Sequence, residues 1–128
     1  MFRKVLFPVN QSHEAKQAID VVVEVVQKYS AQLVVMSAVK DINSEAETNS
    51  AQVLLQEICD QLSKVGISAE TKIGEGKPEL AICDVADELE VDLIIMGSQG
   101  MVSTKDHPDG STSQKVINLS PCPVLVVP

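Results

Sequence analysis

The chain has 128 residues, 45% of them apolar, with three aromatics, no tryptophan and a net charge of −8. That length predicts one domain over residues 1–128, with enough apolar side chain to bury a core without disulfide or metal staples. The acidity excludes the basic face of a nucleic-acid binder, the few aromatics exclude a base-stacking platform, and the composition excludes disordered or collagen-like chain.

No apolar run reaches the ~20 residues of a membrane helix, so no membrane partner is expected. Met1 to Val9 reads as a first strand rather than a leader peptide. Its apolar part is short, Pro8 interrupts it, and no small-residue cleavage site follows. Cys59, Cys83 and Cys122 are isolated and odd in number, which suits a reducing compartment and predicts a cytoplasmic protein. With His13 and His107 the only histidines and no C-x-x-C pair, no structural zinc pattern is present.

Lys4 to Val9 predicts a buried strand. Ser12 offers a helix cap and Glu14 an acid in the first turn. Ala15, Ile19, Val22, Val26 and Tyr29 then form a helical stripe. Gln32 to Val39 is a second strand. Asp41 to Ser50 is polar and acidic and predicts a loop or a frayed helix start. Leu54, Ile58, Leu62 and Val65 make the next stripe, and Gly66 stands where a left-handed cap belongs. Ile67 to Ile73 alternates apolar and polar residues, as a strand with one wet face near a sheet edge does.

Gly74 and Gly76 mark a turn, and Pro78 suits the first position of a helix. That helix faces inward with Leu80, Ile82, Val85, Ala86 and Leu89. Asp92 to Met96 is the most apolar strand so far and predicts a central position. Gly97 to Gly110 is loop. Ser111 to Leu119 is a short helix with Val116, Ile117 and Leu119 inward, and Val124 to Val127 is a last strand entered through Pro121 and Pro123. Strict strand–helix alternation predicts an α/β fold, an open parallel five-stranded sheet with helices on both faces.

Ligands of such sheets sit beyond the carboxyl ends of the strands, where strand order reverses. The segments there are Asn10-Gln11-Ser12, Val39-Lys40-Asp41 and Gly97-Ser98-Gln99-Gly100. Glycines in the last of these admit close backbone approach, and Gly110 precedes Ser111, Thr112 and Ser113 at a helix start. Converging amides and a helix N-terminus suit phosphate. Spacing alone leaves a phosphate cradle and an ordinary turn with a helix cap both open. A P-loop, a G-x-G-x-x-G after the first strand and a G-x-S-x-G elbow are absent. Cys122, between two prolines, reads as a packed residue and His107 as a surface residue, while His13, in the first turn of the first helix near the pocket mouth, is given no catalytic role.

The motifs taken together resemble those of the universal stress protein family. Val5-Leu6-Phe7-Pro8-Val9-Asn10-Gln11-Ser12 is similar to its opening strand, Pro-x-Asp-x-Ser. Leu93-Ile94-Ile95-Met96-Gly97-Ser98-Gln99-Gly100 is similar to its fourth strand and loop. Gly97-x2-Gly100-x9-Gly110-Ser111 fits its nucleotide-binding pattern, G-x2-G-x9-G-[ST], and Ser120-Pro121-Cys122-Pro123-Val124-Leu125-Val126-Val127 resembles its closing strand. The resemblance spans the whole chain. It implies a Rossmann-like sheet of order 3-2-1-4-5, of the adenine nucleotide alpha hydrolase-like type. It also implies a cytosolic stress-response regulator that binds ATP or AMP, with Mg²⁺ accompanying ATP, and acts through a protein partner.

Carried over residue by residue, Gly97, Gly100, Gly110, Ser111 and Thr112 or Ser113 hold the phosphates. Asn10 faces the adenine or its ribose, and Val39 lines the adenine pocket. Pro8, Val9 and Ser12 of the opening motif, with Met96 and Ser98 beside the glycines, complete the set. No catalytic residue or metal ligand is assigned. A slow Mg²⁺-dependent ATPase and a nucleotide-free interaction module are the alternatives. The chain departs from the family in carrying Asn10 in place of Asp, which keeps an acceptor and loses the charge. Its 101–109 linker holds one fixed cation, Lys105, with Asp106 and Asp109, in place of a basic, leucine-rich segment. Val124 to Val127, expected at the sheet edge without a charged side chain, predicts a homodimer built on that strand.

Overall fold

The computed structural model describes residues 1–10, 15–98 and 112–128, the side chains of residues 15 and 16 excepted. The elements follow in the order β1 (Lys4–Pro8), α1 (Ala15–Tyr29), β2 (Gln32–Val39), α2 (Glu45–Ser63), β3 (Ala69–Glu75), α3 (Pro78–Glu88), β4 (Leu93–Gly97), α4 (Thr112–Leu119) and β5 (Val124–Val127). All pairings are parallel, and the sheet runs β3-β2-β1-β4-β5. This is the order that the resemblance implies.

Side chains of the central strands alternate between two cores. Val5, Phe7, Leu33, Val35, Leu93 and Ile95 pack with α1 and α2. Leu6, Val34, Met36, Ile94 and Met96 pack with α3 and α4. Because both faces are covered, β1, β2 and β4 read as continuous apolar runs.

Three helices deliver the chain into the next strand by one device. Ser30, Gly66 and Glu90 take positive φ of 51°, 83° and 55°. The following amides of Ala31, Ile67 and Val91 then reach back to the carbonyls of Val26, Leu62 and Ala86 at 2.9–3.1 Å. This closes each helix with a left-handed cap.

Several helical faces differ from the sequence expectation. α2 begins at Glu45, well inside the segment expected to be loop or frayed, because the Ser44 hydroxyl accepts from the Glu47 amide at 3.3 Å. Its buried stripe is Ala51, Leu55, Ile58 and Leu62, while Val53 and Val65 are exposed. α1 buries Ala18, Val22 and Val26; Tyr29 is exposed and sets its ring edge-on to Phe2 at 5.2 Å. Leu80 on α3 is exposed, and so are Ile117 and Leu119 on α4. α4 has only eight residues above the β4–β5 pair, and it buries one stripe, Thr112, Ser113 and Val116.

Gly74 also differs from expectation. It stands inside β3, paired with Ala38, and not in a turn. A Cβ there would meet Met36 Cε at 3.2 Å and Ala81 Cβ at 3.3 Å, so glycine lets α3 lie close on the edge strand. The turn belongs to Gly76, at φ 113°, whose amide donates to the Val39 carbonyl at 2.9 Å. Gly74→Val should therefore cost about 1–3 kcal/mol of stability in urea titration. An unchanged midpoint would mean that the contact is not tight.

Candidate functional site

β1 is held to β4 at its amino end. The Asp92 carboxylate accepts from the Arg3 and Lys4 amides at 2.9 and 3.0 Å, and the Asp92 amide donates to the Lys4 carbonyl at 2.9 Å. Paired positions then run only through Val5↔Leu93 and Leu6↔Ile94. On its other side β1 pairs with β2 over five positions, as far as Pro8↔Met36. The crevice where strand order reverses therefore opens at the carboxyl end, between β1 and β4.

The sequence-derived residues fall around this end. Pro8 closes β1, and the Val9 amide donates to the Met36 carbonyl at 2.8 Å, so both are fixed to β2. Met96 is fully buried in the α3/α4 core. Gly97 ends β4, and the Ser98 amide donates to the Val127 carbonyl at 2.9 Å. Thr112 and Ser113 are buried in the first turn of α4. Ser12, Gly100, Gly110 and Ser111, like His13, His107 and the 101–109 linker, lie outside the described residues.

Asn10 and Val39 come together in one cleft of about 340 Å³, within the size range of small-molecule sites. The other lining residues are Ser37, Ala38, Ala46, Glu47, Ser50 and Ala51. The cleft lies between the carboxyl ends of β1 and β2 and the first turns of α2. Sequence reading missed this α2 wall. The signal was present as Ser44-x-x-Glu47, the pattern of a capped helix start. Here the Glu47 carboxylate does not close back on the Ser44 amide, which donates to the Asp41 carbonyl at 3.1 Å. Its Oε1 instead accepts from the Lys40 amide at 3.0 Å, which ties the helix start to the end of β2. Glu79, in the first turn of α3, is also buried; its Oε2 has no hydrogen-bond partner among the described residues, and it does not line the cleft.

Among the described residues no three His, Cys, Asp or Glu side chains gather as metal ligands, and no helix is long and apolar enough to cross a membrane. Burial pushes the thiols of Cys59, Cys83 and Cys122 above the ordinary cysteine range. Hydrogen bonds from Ser120 and the Ile94 amide only partly offset this at Cys122. Cys83 is buried and Cys59 and Cys122 half-buried, and a thiol raised in this way is a weaker nucleophile near neutral pH.

A family model described as the universal stress protein family matches residues 1–128. A universal stress protein of Synechocystis is 38% identical, over 100% of this chain and 87% of its own length. Among solved structures, a universal stress protein of Lactobacillus plantarum superposes with a TM-score of 0.82 at 26% identity, covering 99% of this chain and 98% of its own. A universal stress protein of Archaeoglobus fulgidus in complex with dAMP gives 0.83 at 18% identity, over 99% and 98%. A family protein of Arabidopsis thaliana with AMP bound gives 0.71 at 19% identity, over 98% and 90%.

Proposed function

The chain belongs to the universal stress protein family, and on that premise we propose that it binds an adenine nucleotide, ATP or AMP, at the β1/β4 switch point and serves as a cytoplasmic stress-response regulator acting through a partner protein. The observation that carries this reading is the pairing of β1 with β4, which ends at Leu6↔Ile94 beside a cleft that Asn10 and Val39 line. In this reading the nucleoside lies against Asn10 and Val39. Its phosphates point across the crevice to Gly97, Ser98 and the first turn of α4, with Gly100, Gly110 and Ser111 completing the cradle. Pro8, Val9 and Met96 offer backbone, and Ser12 a hydroxyl.

The first turn of a helix presents unpaired amides and a partial positive charge, and Thr112 and Ser113 add hydroxyls. Asn10 retains a carbonyl acceptor for adenosine. Mg²⁺ would arrive on the phosphates of ATP, since no acidic ligand set stands among the described residues.

Gly97 offers a test in which fold and binding separate. Among the described residues, a Cβ at this position would meet nothing nearer than the Val127 carbonyl oxygen at 4.0 Å. Gly97→Val should keep the wild-type melting temperature and weaken AMP at least about tenfold, equivalent to ~1.4 kcal/mol. Unchanged AMP affinity in calorimetric titration would remove the end of β4 from the site.

The proposal includes a homodimer on the last strand. Among the described residues β5 has one strand neighbour, β4, and Leu125 is 39% exposed. Val124 to Val127 carry no charge, and an apolar edge strand is a template for a second strand. Pro123 and Pro128 confine pairing to the residues between them. A two-fold axis would set the two copies antiparallel. Val126→Lys should move the mass measured by light scattering from dimer to monomer. A wild-type chain that is monomeric at tens of micromolar would contradict the dimer.

A further inference from the structure

α3 turns an acid inward and a leucine outward. In its first turn Glu79 is 7% exposed, while the adjacent Leu80 is 48% exposed. An acid at a helix start offsets the positive end of the helix, but an exposed acid does so without losing its water. The burial of Glu79 therefore needs another cause. Its Oε2 has no hydrogen-bond partner among the described residues. Buried charges are paired or coordinate metals, because water no longer offsets their charge.

The phase of α3 shows where Glu79 faces. Ala81 and Val85 turn to β3, where a Cβ at Gly74 would meet them at 3.3 and 3.6 Å. At about 100° per residue, Glu79 lies roughly 160° around the helix from Ala81. On that side α3 packs along α4, over the same face of the sheet. Both helices follow parallel strands, so both begin at the carboxyl end of the sheet. Glu79 thus stands beside the first turn of α4, where Thr112 and Ser113 are buried.

A phosphate meets opposed forces at this place. The start of α4 draws it in, and the adjacent carboxylate drives it out. The repulsion grows with the charge of the phosphate chain, least for AMP and most for ATP. A divalent cation removes the conflict. Mg²⁺ takes oxygen ligands, and in nucleotide sites one or two carboxylates suffice beside phosphate oxygens and water. We propose that Glu79 makes ATP binding conditional on a divalent cation, held between Glu79 Oε2 and the phosphates. This rests on the reading that the phosphates reach the first turn of α4. It adds the residue through which Mg²⁺ decides between ATP and AMP: with the cation the site takes ATP, and without it AMP.

The test compares dissociation constants of ATP, AMP and adenosine for the wild type and Glu79→Gln, each in magnesium chloride and in EDTA. Glutamine keeps the size of the side chain and removes its charge. Magnesium should strengthen ATP binding to the wild type at least about tenfold, and AMP binding much less. Glu79→Gln should bind cation-free ATP at least about fivefold tighter than the wild type and reduce the magnesium effect to about twofold. Adenosine should bind both proteins equally. A magnesium effect on ATP that is absent from the wild type, or unmoved in Glu79→Gln, would overturn the inference while leaving nucleotide binding intact. An effect on AMP as large as that on ATP would overturn it as well. So would weaker adenosine binding in Glu79→Gln, because the carboxylate would then be supporting the fold. A wild type that binds none of the three ligands would remove the proposed function and this inference with it.

Discussion

The fold and the candidate site both depend on how β1 meets β4. Asp92 ties the two strands together at the amino end with a carboxylate shared by two backbone amides. Two paired positions follow, and then the pairing stops. Strand order reverses at this seam, and α1 after β1 and α4 after β4 pack on opposite faces of the sheet. β2 holds the end of β1 in place through Pro8↔Met36 and the Val9 amide. Opening the crevice therefore costs no backbone hydrogen bond on the other side.

Much of this was legible in the sequence because it follows from local pattern. β2 covers the predicted Gln32 to Val39, and Gly66 caps α2 as its position suggests. The apolar runs gave the central strands, and the alternation of elements gave a parallel sheet. What was not legible was the phase of the helices. Val53, Leu54 and Leu55 are three consecutive apolar residues spread over most of a helical turn. Only packing against β2 and β3 selects Leu55 for burial and leaves Val53 in solvent. Leu80 and Ile117 fail for the same reason, each being next to residues that the structure buries instead.

The site was partly legible. Asn10 and Val39 could be placed from strand ends alone, since a parallel sheet sends its ligand to the carboxyl ends. The α2 wall with Glu47 could not, because only tertiary packing of α2 on β2 brings it to the cleft. Gly74 misled because glycine signals a turn far more often than a close helix–strand contact. Here the contact with Ala81 decides its place.

Charge gives the account its sharpest demand. The chain carries −8, and its one arginine, Arg3, stands at the amino end of β1, the far side of the sheet from the cleft. On the proposed reading, backbone amides and the start of α4 meet the anionic end of the ligand. The most direct test is a titration of the ¹⁵N-labelled protein with AMP, followed by amide chemical shifts. The account predicts saturable shifts at Asn10, Val39, Gly97, Ser98 and Thr112, with the amides of β3 unmoved. Saturation that leaves Asn10 and Gly97 unshifted, or an absence of any saturable shift, would contradict it.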